Sequence, residues 1–478
     1  MLHIKKMWAF IVIVFTLISA ALPAYAEDID YTLNLDGRRV PIPKAYDVQS
    51  VIINLDGGAV GFNKPEDIFV DQNGILYVAD TGNNRIVKLE KDGYVLGVFK
   101  GPKDKPFNGP KGVFVNKNGD IFVADTGNGR IVHLDPNGNF VEEFVRPASK
   151  LLDNKYPFKP RKVVVDARGY LNVLNENDYH GVITIDGLNN FRGYVGTNKV
   201  AFSLINTLVR FFATPEQKAQ LSKVVPPYFT DIFLDDEGYM YTTTVLSNSD
   251  QIKKINALGV NTFVTGKSFG EDWLPESWTQ NTPYFTGITV DDKKVISAVD
   301  ASARRIYQYD QEGNLLCVFG GQGERRGLFE YPSAIDVDKD GLLYVLDRDR
   351  NNIQIFQPTR FMSMVHNAVE MYYNGKYQQA ATLWRDVLKI DSNYLLAHRQ
   401  IGKALYKEGK WRESMKEYLK GEDKAGYSLA FDEYRHQIYR QYFGWVVLIV
   451  VLLIYLILKA VAILRRKANM IIGGRIRN

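Results

Sequence analysis

Short apolar segments alternate with polar turns over the first three quarters of the chain. Four such segments lie within residues 62–101, at Asp67–Val70, Ile75–Ala79, Arg85–Leu89 and Val95–Phe99. The turns between them carry Asn-Gly and Asp-Gly pairs, which are typical of antiparallel strands joined by tight turns. The pattern therefore predicts a four-stranded sheet. Because such a sheet has two open edges, it needs neighbours to be stable.

The same unit returns along the chain. Asp80-Thr81-Gly82-Asn83 recurs 45 residues later as Asp125-Thr126-Gly127-Asn128. A period of this length is typical of a solenoid or a propeller, and four strands per unit favour the propeller. Weaker copies follow, so we count six units, whose first strands are centred on Ile68, Val113, Val163, Ile232, Ile288 and Ile335.

The unit resembles the NHL repeat. A Pro stands three residues before the first strand, Asp-x-x-Gly precedes the second, and Asn and Arg precede an Ile in the third. Asn116 replaces the Asp in the second unit, and Phe229 and Phe285 replace the Pro in the fourth and fifth. NHL proteins commonly form six-bladed propellers, so the resemblance implies a mainly β, six-bladed NHL-type β-propeller over residues 46–357. It implies little about function, because propellers carry many activities.

The last unit ends after its third strand, at Asn352–Phe356. An unassigned strand, Tyr46–Asn54, stands ahead of the first unit. We therefore predict that this N-terminal strand becomes the fourth strand of the last blade and closes the ring, which removes both open edges.

Helical spacing begins at Phe361. Two copies of 34 residues, Phe361–Tyr394 and Leu395–Ser428, align at Gly375-Lys376-Tyr377 and Gly409-Lys410-Trp411. The pair resembles the tetratricopeptide repeat (TPR), so we predict a small α-helical TPR region over residues 361–428. A plain helical stalk is the alternative. Residues 429–442 are predicted to form a connecting helix.

Apolar segments at both ends predict an exported, anchored protein. Met1–Ala26 is typical of a signal peptide, with an uncleaved anchor as the alternative, and residues 27–45 are predicted to be an extended leader. Phe443–Leu464 is long enough to be a transmembrane helix. The tail, residues 465–478, carries five basic residues and no acid, which predicts a cytoplasmic C-terminus and a body outside the cell membrane.

Composition argues against several function classes. The net charge is +5, but the tail supplies all of that excess, so the body has no basic field for nucleic acid.

NHL-related propellers include metal-dependent lyases and lactonases, yet the propeller histidines, His133 and His180, are not spaced as zinc ligands. The single cysteine, Cys317, lies in an apolar segment. Asp336–Gly341 matches a calcium-loop pattern, but its flanks are predicted strands, which favours a hairpin turn. We therefore expect no enzyme activity, metal or cofactor.

Two insertions mark a candidate binding face. Thr197–Val225 and Gly266–Pro283 both connect a fourth strand to the next first strand, on the face that also carries the loops between second and third strands. Loops on a rigid scaffold often bind ligands. The alternatives are inserts that pack on their own blades, and Asp and Asn side chains that only shape turns. The candidate ligand-binding residues are Trp273, Trp278, Asn83, Asn84, Asn128, Arg304, Arg305, Arg348, Arg350 and Asn351.

This arrangement favours a recognition protein. We expect a membrane-anchored extracytoplasmic scaffold that recruits a protein partner, at the membrane or cell surface, through propeller and TPR surfaces. A cell-surface receptor or sensor for a glycan or small ligand is the alternative, and a propeller ectoenzyme ranks third. The lipid bilayer is itself a partner, through Phe443–Leu464.

Overall fold

A computed structural model describes residues 29–55, 60–149, 152, 157–196, 227–245, 247–274 and 279–475. The predicted signal peptide, Met1–Ala26, and the first insertion, Thr197–Val225, lie outside the described residues, and so does Trp278. Two compact units divide the chain at Asn374 and Gly375.

The first unit begins with three strands, β1 (Tyr31–Leu33), β2 (Arg39–Pro41) and β3 (Tyr46–Ile52). Each blade is then given from its first strand to its last. Blade 1 has β4 (Asp67–Val70), β5 (Leu76–Asp80), β6 (Arg85–Leu89) and β7 (Val95–Phe99). Blade 2 has β8 (Gly112–Val115), β9 (Ile121–Asp125), β10 (Arg130–Leu134) and β11 (Phe140–Phe144). Blade 3 has β12 (Pro160–Val165), β13 (Leu171–Asn175), β14 (Val182–Ile185) and β15 (Phe191–Val195).

The second half of the ring follows the same order. Blade 4 has β16 (Tyr228–Leu234), β17 (Met240–Val245) and β18 (Ile252–Ile255), and a small hairpin follows it, β19 (Trp273–Leu274) with β20 (Thr279–Gln280). Blade 5 has β21 (Phe285–Val290), β22 (Ile296–Asp300), β23 (Arg305–Tyr309) and β24 (Leu315–Gly320). Blade 6 has β25 (Pro332–Val337), β26 (Leu343–Asp347) and β27 (Asn352–Pro358).

The first strands surround a common axis. Neighbouring first strands contact one another around the whole circle, in the order β4, β8, β12, β16, β21, β25 and back to β4. Apolar side chains fill the spaces between blades; Tyr77 and Ile86 of blade 1, for example, cluster with Val113 and Val123 of blade 2. The prediction of a six-bladed propeller is therefore confirmed, with the core between the sheets.

The predicted closure of the ring is also confirmed. Strand β3 pairs antiparallel with β27, with Ile52 opposite Ile353 and Tyr46 opposite Pro358. The N-terminal strand is thus the fourth, outermost strand of blade 6, and it covers the edge that β27 would otherwise expose.

The segment predicted to be an extended leader contains a hairpin instead. Strands β1 and β2 pair with each other, and Tyr31 of β1 lies opposite Val318 of β24, so blade 5 becomes a six-stranded sheet. A buried carboxylate holds the hairpin in place. Glu271 accepts hydrogen bonds from the hydroxyls of Tyr31 and Tyr307, and Arg39 Nε lies 2.7 Å from its other oxygen. The spacing of apolar residues in so short a segment did not reveal these long-range partners.

Blade 4 differs from the predicted four strands. Beyond β18 the described chain forms a loop, in which the amide of Thr262 donates to Lys254 O at 2.7 Å and the amide of Asp250 donates to Lys267 O at 2.8 Å. Phe263 and Phe269 stack at 5.4 Å and are buried in the core of blades 4 and 5. The loop therefore covers the outer edge that a fourth strand would otherwise pair with.

Helix α1 (Arg360–Tyr373) completes the first unit. Its N-cap is Thr359, whose hydroxyl accepts from the amide of Met362. The helix packs on the turn between β21 and β22, where Lys293 donates to Asn367 at 2.7 Å, and His366 Nε2 lies 3.1 Å from Gln308 Oε1. Burial, with the charge of Lys293 as a smaller cause, lowers the pKa of His366 to about 3, so this histidine is neutral.

The second unit is helical. It contains α2 (Tyr377–Ile390), α3 (Leu395–Lys407), α4 (Trp411–Lys420) and α5 (Lys424–Arg475). Helices α3 and α4 cross closely at Gly402, because a Cβ there would lie 3.0 Å from the ring of Tyr418. Ser414 donates to the carbonyl of Gly402 at 2.7 Å. Small residues thus stand where the predicted repeats need them, at the helix crossing.

Helix α5 runs without a break through segments predicted as the end of the second repeat, the connecting helix, the transmembrane helix and part of the tail. Its most apolar window has a mean hydropathy of 3.1, and no part of that window is buried. Within the described residues this is one helix long and apolar enough to cross a membrane.

Deleting residues 46–52 should cause aggregation, because β27 would become an unpaired edge and the ring would open. Light scattering and thermal unfolding of the exported protein would measure this. Deleting residues 29–41 is the matched control, because it also uncovers an outer strand, β24, but leaves the ring closed by β3 and β27; it should lower the melting temperature without opening the ring. A soluble 46–52 deletion whose melting temperature equals that of the wild type would contradict closure by β3.

Candidate functional site

The entry face is the face of the propeller on which first strands begin and second strands end. In blade 1, Asp80 Oδ2 accepts from Arg85 Nε at 2.7 Å and from Asn83 Nδ2 at 2.8 Å, and Asp80 Oδ1 accepts from the amide of Asn63 at 2.7 Å. Blade 2 repeats this network. Asp125 accepts there from Arg130, Asn128 and the amide of Asn108.

Most of the predicted binding residues on this face tie one connection to another. Asn83 and Asn128 donate to carbonyls of the chain entering their own blades, Asn84 accepts from the amide of Gly109, and Asn351 accepts from the amide of Lys64. Such contacts match the alternative in which these side chains shape turns. These contacts occupy the side-chain donors and acceptors of the asparagines that a ligand would need.

The predicted arginines and Trp273 are spread over separate parts of the propeller. Arg304 donates to Glu330 O and Arg350 to Leu328 O, while Arg305 is buried over the ring of Tyr31. Trp273 is 48% exposed, in the small hairpin outside the ring. Arg348 differs from the other three arginines, because its guanidinium contacts Glu66 of the chain that enters blade 1 and the ring of Tyr331.

A β-bulge near the start of each first strand places one extra residue there, which is charged in blades 1 to 3 and a Ser or Thr in blades 4 to 6. In blade 3, Pro160 pairs with Asn175 and Lys162 pairs with Leu174, so Arg161 is the extra residue. In blade 1, the amide of Glu66 donates to Ala79 O while Asp67 lies opposite the same Ala79. We call the resulting cluster at the entry face the axial mouth, made of Glu66, Arg161, Tyr228, Tyr284, Tyr331 and Arg348.

The axial mouth combines charges with half-buried aromatic rings. Glu66 lies 3.7 Å from both Arg161 and Arg348, and Arg348 stacks over the ring of Tyr331 at 3.7 Å. Burial acts to lower the pKa of Arg161, but Glu66 and the other acidic groups around it, Tyr284, Asp231 and Tyr331, together raise it above its usual value. Burial, together with the neighbouring hydroxyl of Tyr284, raises the pKa of Tyr331. The mouth therefore places two guanidinium groups and one carboxylate beside three phenol rings.

An ion cluster forms the floor of the mouth. Lys162 Nζ lies 2.8 Å from Asp67 and 3.0 Å from Asp231, which also accept from backbone amides of the neighbouring blades. Burial raises the pKa of Asp231, although Lys162 lowers it in part. Burial by itself would lower the pKa of Lys162, but the two carboxylates raise it above its usual value. Lys162 thus crosslinks three blades. Burial also raises the pKa of the nearby carboxyl of Asp336, to about 6.

The candidate metal residues are held apart. Within the described residues, no group of three or more His, Cys, Asp or Glu could hold a metal ion. His133 stacks on Phe122 at 4.4 Å, His180 stacks on Tyr194 at 5.2 Å, and Cys317 is buried. In the calcium-like segment, Asp338 accepts from amides of its own turn, whereas Asp336 faces the axis. That segment is a hairpin turn.

Of the residues in the axial mouth, the sequence analysis predicted only Arg348. The three tyrosines could have been found from their equivalent positions in the repeats. Tyr228, Tyr284 and Tyr331 each stand four residues before the central Ile of a first strand, in three consecutive units. The equivalent positions of the first three units are occupied by Lys64, Gly109 and Lys159. Comparing equivalent positions around the ring, instead of following loops along the chain, would have found the tyrosines.

Replacing Lys162 with Met should destabilise the propeller by about 3–5 kcal/mol, because it leaves two buried carboxylates without their cation. Without Lys162, burial would raise the pKa of Asp231 further above its unfolded value, so the deficit in unfolding free energy should be larger at pH 8 than at pH 5. Denaturant unfolding at both pH values would measure it. Lys117→Met, at an exposed ion pair with Asp236, is the control and should change little. A Lys162 variant as stable as the wild type would show that the ion cluster is dispensable.

Comparisons with known proteins agree with the repeat unit. The model of the NHL repeat matches residues 62–89, 107–134 and 329–356, which are in blades 1, 2 and 6. A virginiamycin B lyase from Staphylococcus aureus is 15% identical, with a TM-score of 0.40 over 69% of this chain and 88% of that one. A protein of unknown function from Bacteroides thetaiotaomicron is 15% identical, with a TM-score of 0.44 over 68% and 80% of the two chains. A putative gluconolactonase is 13% identical, with a TM-score of 0.40 over 64% and 94%. This chain thus contains NHL repeats within a six-bladed propeller.

Proposed function

We propose that this chain is a membrane-anchored extracytoplasmic binding protein that takes its ligand at the axial mouth. One observation carries the proposal: Arg161 and three tyrosine hydroxyls converge at the mouth, and none makes a hydrogen bond with another described residue. Polar groups that the protein leaves without a partner in a half-buried site are open to water and to a ligand. Unused donors and acceptors at the centre of a rigid ring are therefore suited to a ligand.

The chemistry of the mouth favours binding over turnover. The floor carboxylates, Asp67 and Asp231, are both engaged by Lys162 and by backbone amides, so neither is available as a base. Arginine guanidinium groups stay protonated and recognise anions without exchanging protons. These features support a recognition role for the propeller, with no catalytic residue assigned.

The helical unit supports a second role, recruitment of a protein partner. We propose that α1 to α4 form two TPRs, a repeat whose stacked helices bind proteins. In α2, α3 and α4, a cavity of about 300 Å³ is lined by Arg385, Leu388, Lys389, His398, Ile401, Glu417 and Lys420. A cavity with apolar residues and a cationic rim suits an acidic protein segment. The chain would then act as a scaffold beside the membrane.

A diazirine side chain at Thr282, an exposed residue close to Tyr284 on the entry face, should form an adduct in native membranes. The full-length chain would be irradiated and its peptides analysed by mass spectrometry. Arg168 is the matched control position, because it lies in the turn between β12 and β13 on the opposite face. A third diazirine at Arg385 would report the protein partner of the helical unit. Equal adduct yields at Thr282 and Arg168 would refute the binding face.

The proposed topology is a single pass with the propeller outside and the tail in the cytoplasm. The tail has five basic residues and no acid, and basic residues are retained on the cytoplasmic side. Protease added to intact cells or spheroplasts should therefore digest the propeller and spare a tag placed after Asn478. Digestion of the tag with survival of the propeller would reverse the orientation and remove the extracytoplasmic role.

A further inference from the structure

The axial mouth has two chemically different halves. Blades 1 to 3 place Glu66, Lys111 and Arg161 at the bulge positions, so this half is charged. Blades 4 to 6 place small hydroxyl residues at the equivalent positions and add the three tyrosines of the mouth. A ligand seated here would meet cationic donors on one side and amphipathic rings on the other.

Arg161 is the cation of the mouth with free hydrogen-bonding capacity. Lys111 already pairs with Glu176 at 2.7 Å, and Arg348 pairs with Asp349 at 2.9 Å. The guanidinium of Arg161 makes no hydrogen bond with a described residue; its nearest carboxylate, Glu66, lies at 3.7 Å, beyond hydrogen-bond distance. Its side chain is only 24% exposed. A planar guanidinium with unused donors in such a place matches a carboxylate, which it can bind through two parallel hydrogen bonds.

The tyrosine half complements a sugar ring. Each tyrosine offers an apolar ring together with a hydroxyl that both donates and accepts. A pyranose has the matching character, since its faces carry C–H groups and its rim carries hydroxyls. The carboxylate of Glu66 adds an acceptor for a sugar hydroxyl, and the ion cluster below the mouth adds no apolar surface. An aliphatic side chain would leave these polar groups desolvated and unpaired.

We infer that the axial mouth binds an acidic saccharide, with the carboxylate of the sugar paired with Arg161 and the ring held among Tyr228, Tyr284 and Tyr331. The inference rests on the proposed binding function and names its ligand class. A singly charged carboxylate is favoured over a phosphate, because Glu66 borders the same guanidinium and would repel a second negative charge.

The test uses the full-length chain in detergent micelles and a panel of uronic-acid oligosaccharides containing glucuronate, galacturonate or mannuronate. Each oligosaccharide is paired with its carboxyl-reduced form, which is neutral and otherwise the same. Calorimetric titration should show binding of at least one acidic member, about tenfold or more tighter than its reduced form. Phosphorylated sugars and a glutamate-rich peptide complete the panel.

Variants assign the contacts. Arg161→Gln should weaken binding of the acidic saccharide by about tenfold or more, and Arg161→Lys should weaken it less, since charge remains but the planar fork is lost. Arg168→Gln, on the opposite face of the same blade, should leave binding unchanged. Tyr284→Phe should weaken both the acidic and the reduced forms, because the lost hydroxyl contacts the ring.

Several outcomes would overturn the inference. They are failure of every acidic saccharide to bind, equal binding of acidic and reduced forms, no effect of Arg161→Gln, and preference for phosphorylated sugars or for the peptide. If the diazirine at Thr282 still forms its adduct in any of these cases, the binding function stands and only the ligand class is wrong. Loss of that adduct as well would remove the binding function itself.

Discussion

An antiparallel sheet exposes backbone donors and acceptors along its outer edges, and each of its faces needs an apolar partner. No single blade of this propeller meets both needs. The clusters that bury Ile68 and Tyr344, or Tyr77 and Val113, are shared between neighbouring blades. The pairing of β3 with β27 turns the row of sheets into a ring, so every blade has a neighbour on each side.

The closing strand also fixes the start of the helical region. Thr359, the N-cap of α1, donates its hydroxyl to Lys44 O and its amide to Ala45 O, immediately before β3. Tyr46 is buried against Phe319 at 4.6 Å, and its hydroxyl accepts from Gln308. Because α1 packs on the turn opposite the entry face, the chain leaves the propeller on the face away from the axial mouth. One strand therefore closes the ring and sets where the chain exits.

Ring closure creates the chemistry of the axis. Charged residues from separate blades meet there only because their first strands face one another. Lys162, Asp67 and Asp231 balance one another and crosslink blades 1, 3 and 4, which leaves the mouth above them as the place where polar groups are unused. The stabilising ion cluster and the proposed binding site thus occupy adjacent layers. The lower layer combines ion pairs with hydrogen bonds, whereas the guanidinium of Arg161 in the upper layer lies 3.7 Å from Glu66 without a hydrogen bond to it.

The amino-acid sequence by itself determined the repeat, the number of blades, the closing strand and the apolar C-terminal helix. Each of these features follows from the spacing of residues close together in the chain: short apolar strands, the Gly-containing turns between them, and one long apolar segment. The hairpin of β1 and β2, the loop that covers blade 4 and the axial mouth were decided by tertiary structure. Tyr31 and Glu271 are far apart in the chain, as are Glu66 and Arg161. Contacts at such separations depend on which blades the ring brings together. The spacing of residues within one repeat does not show which blades these are.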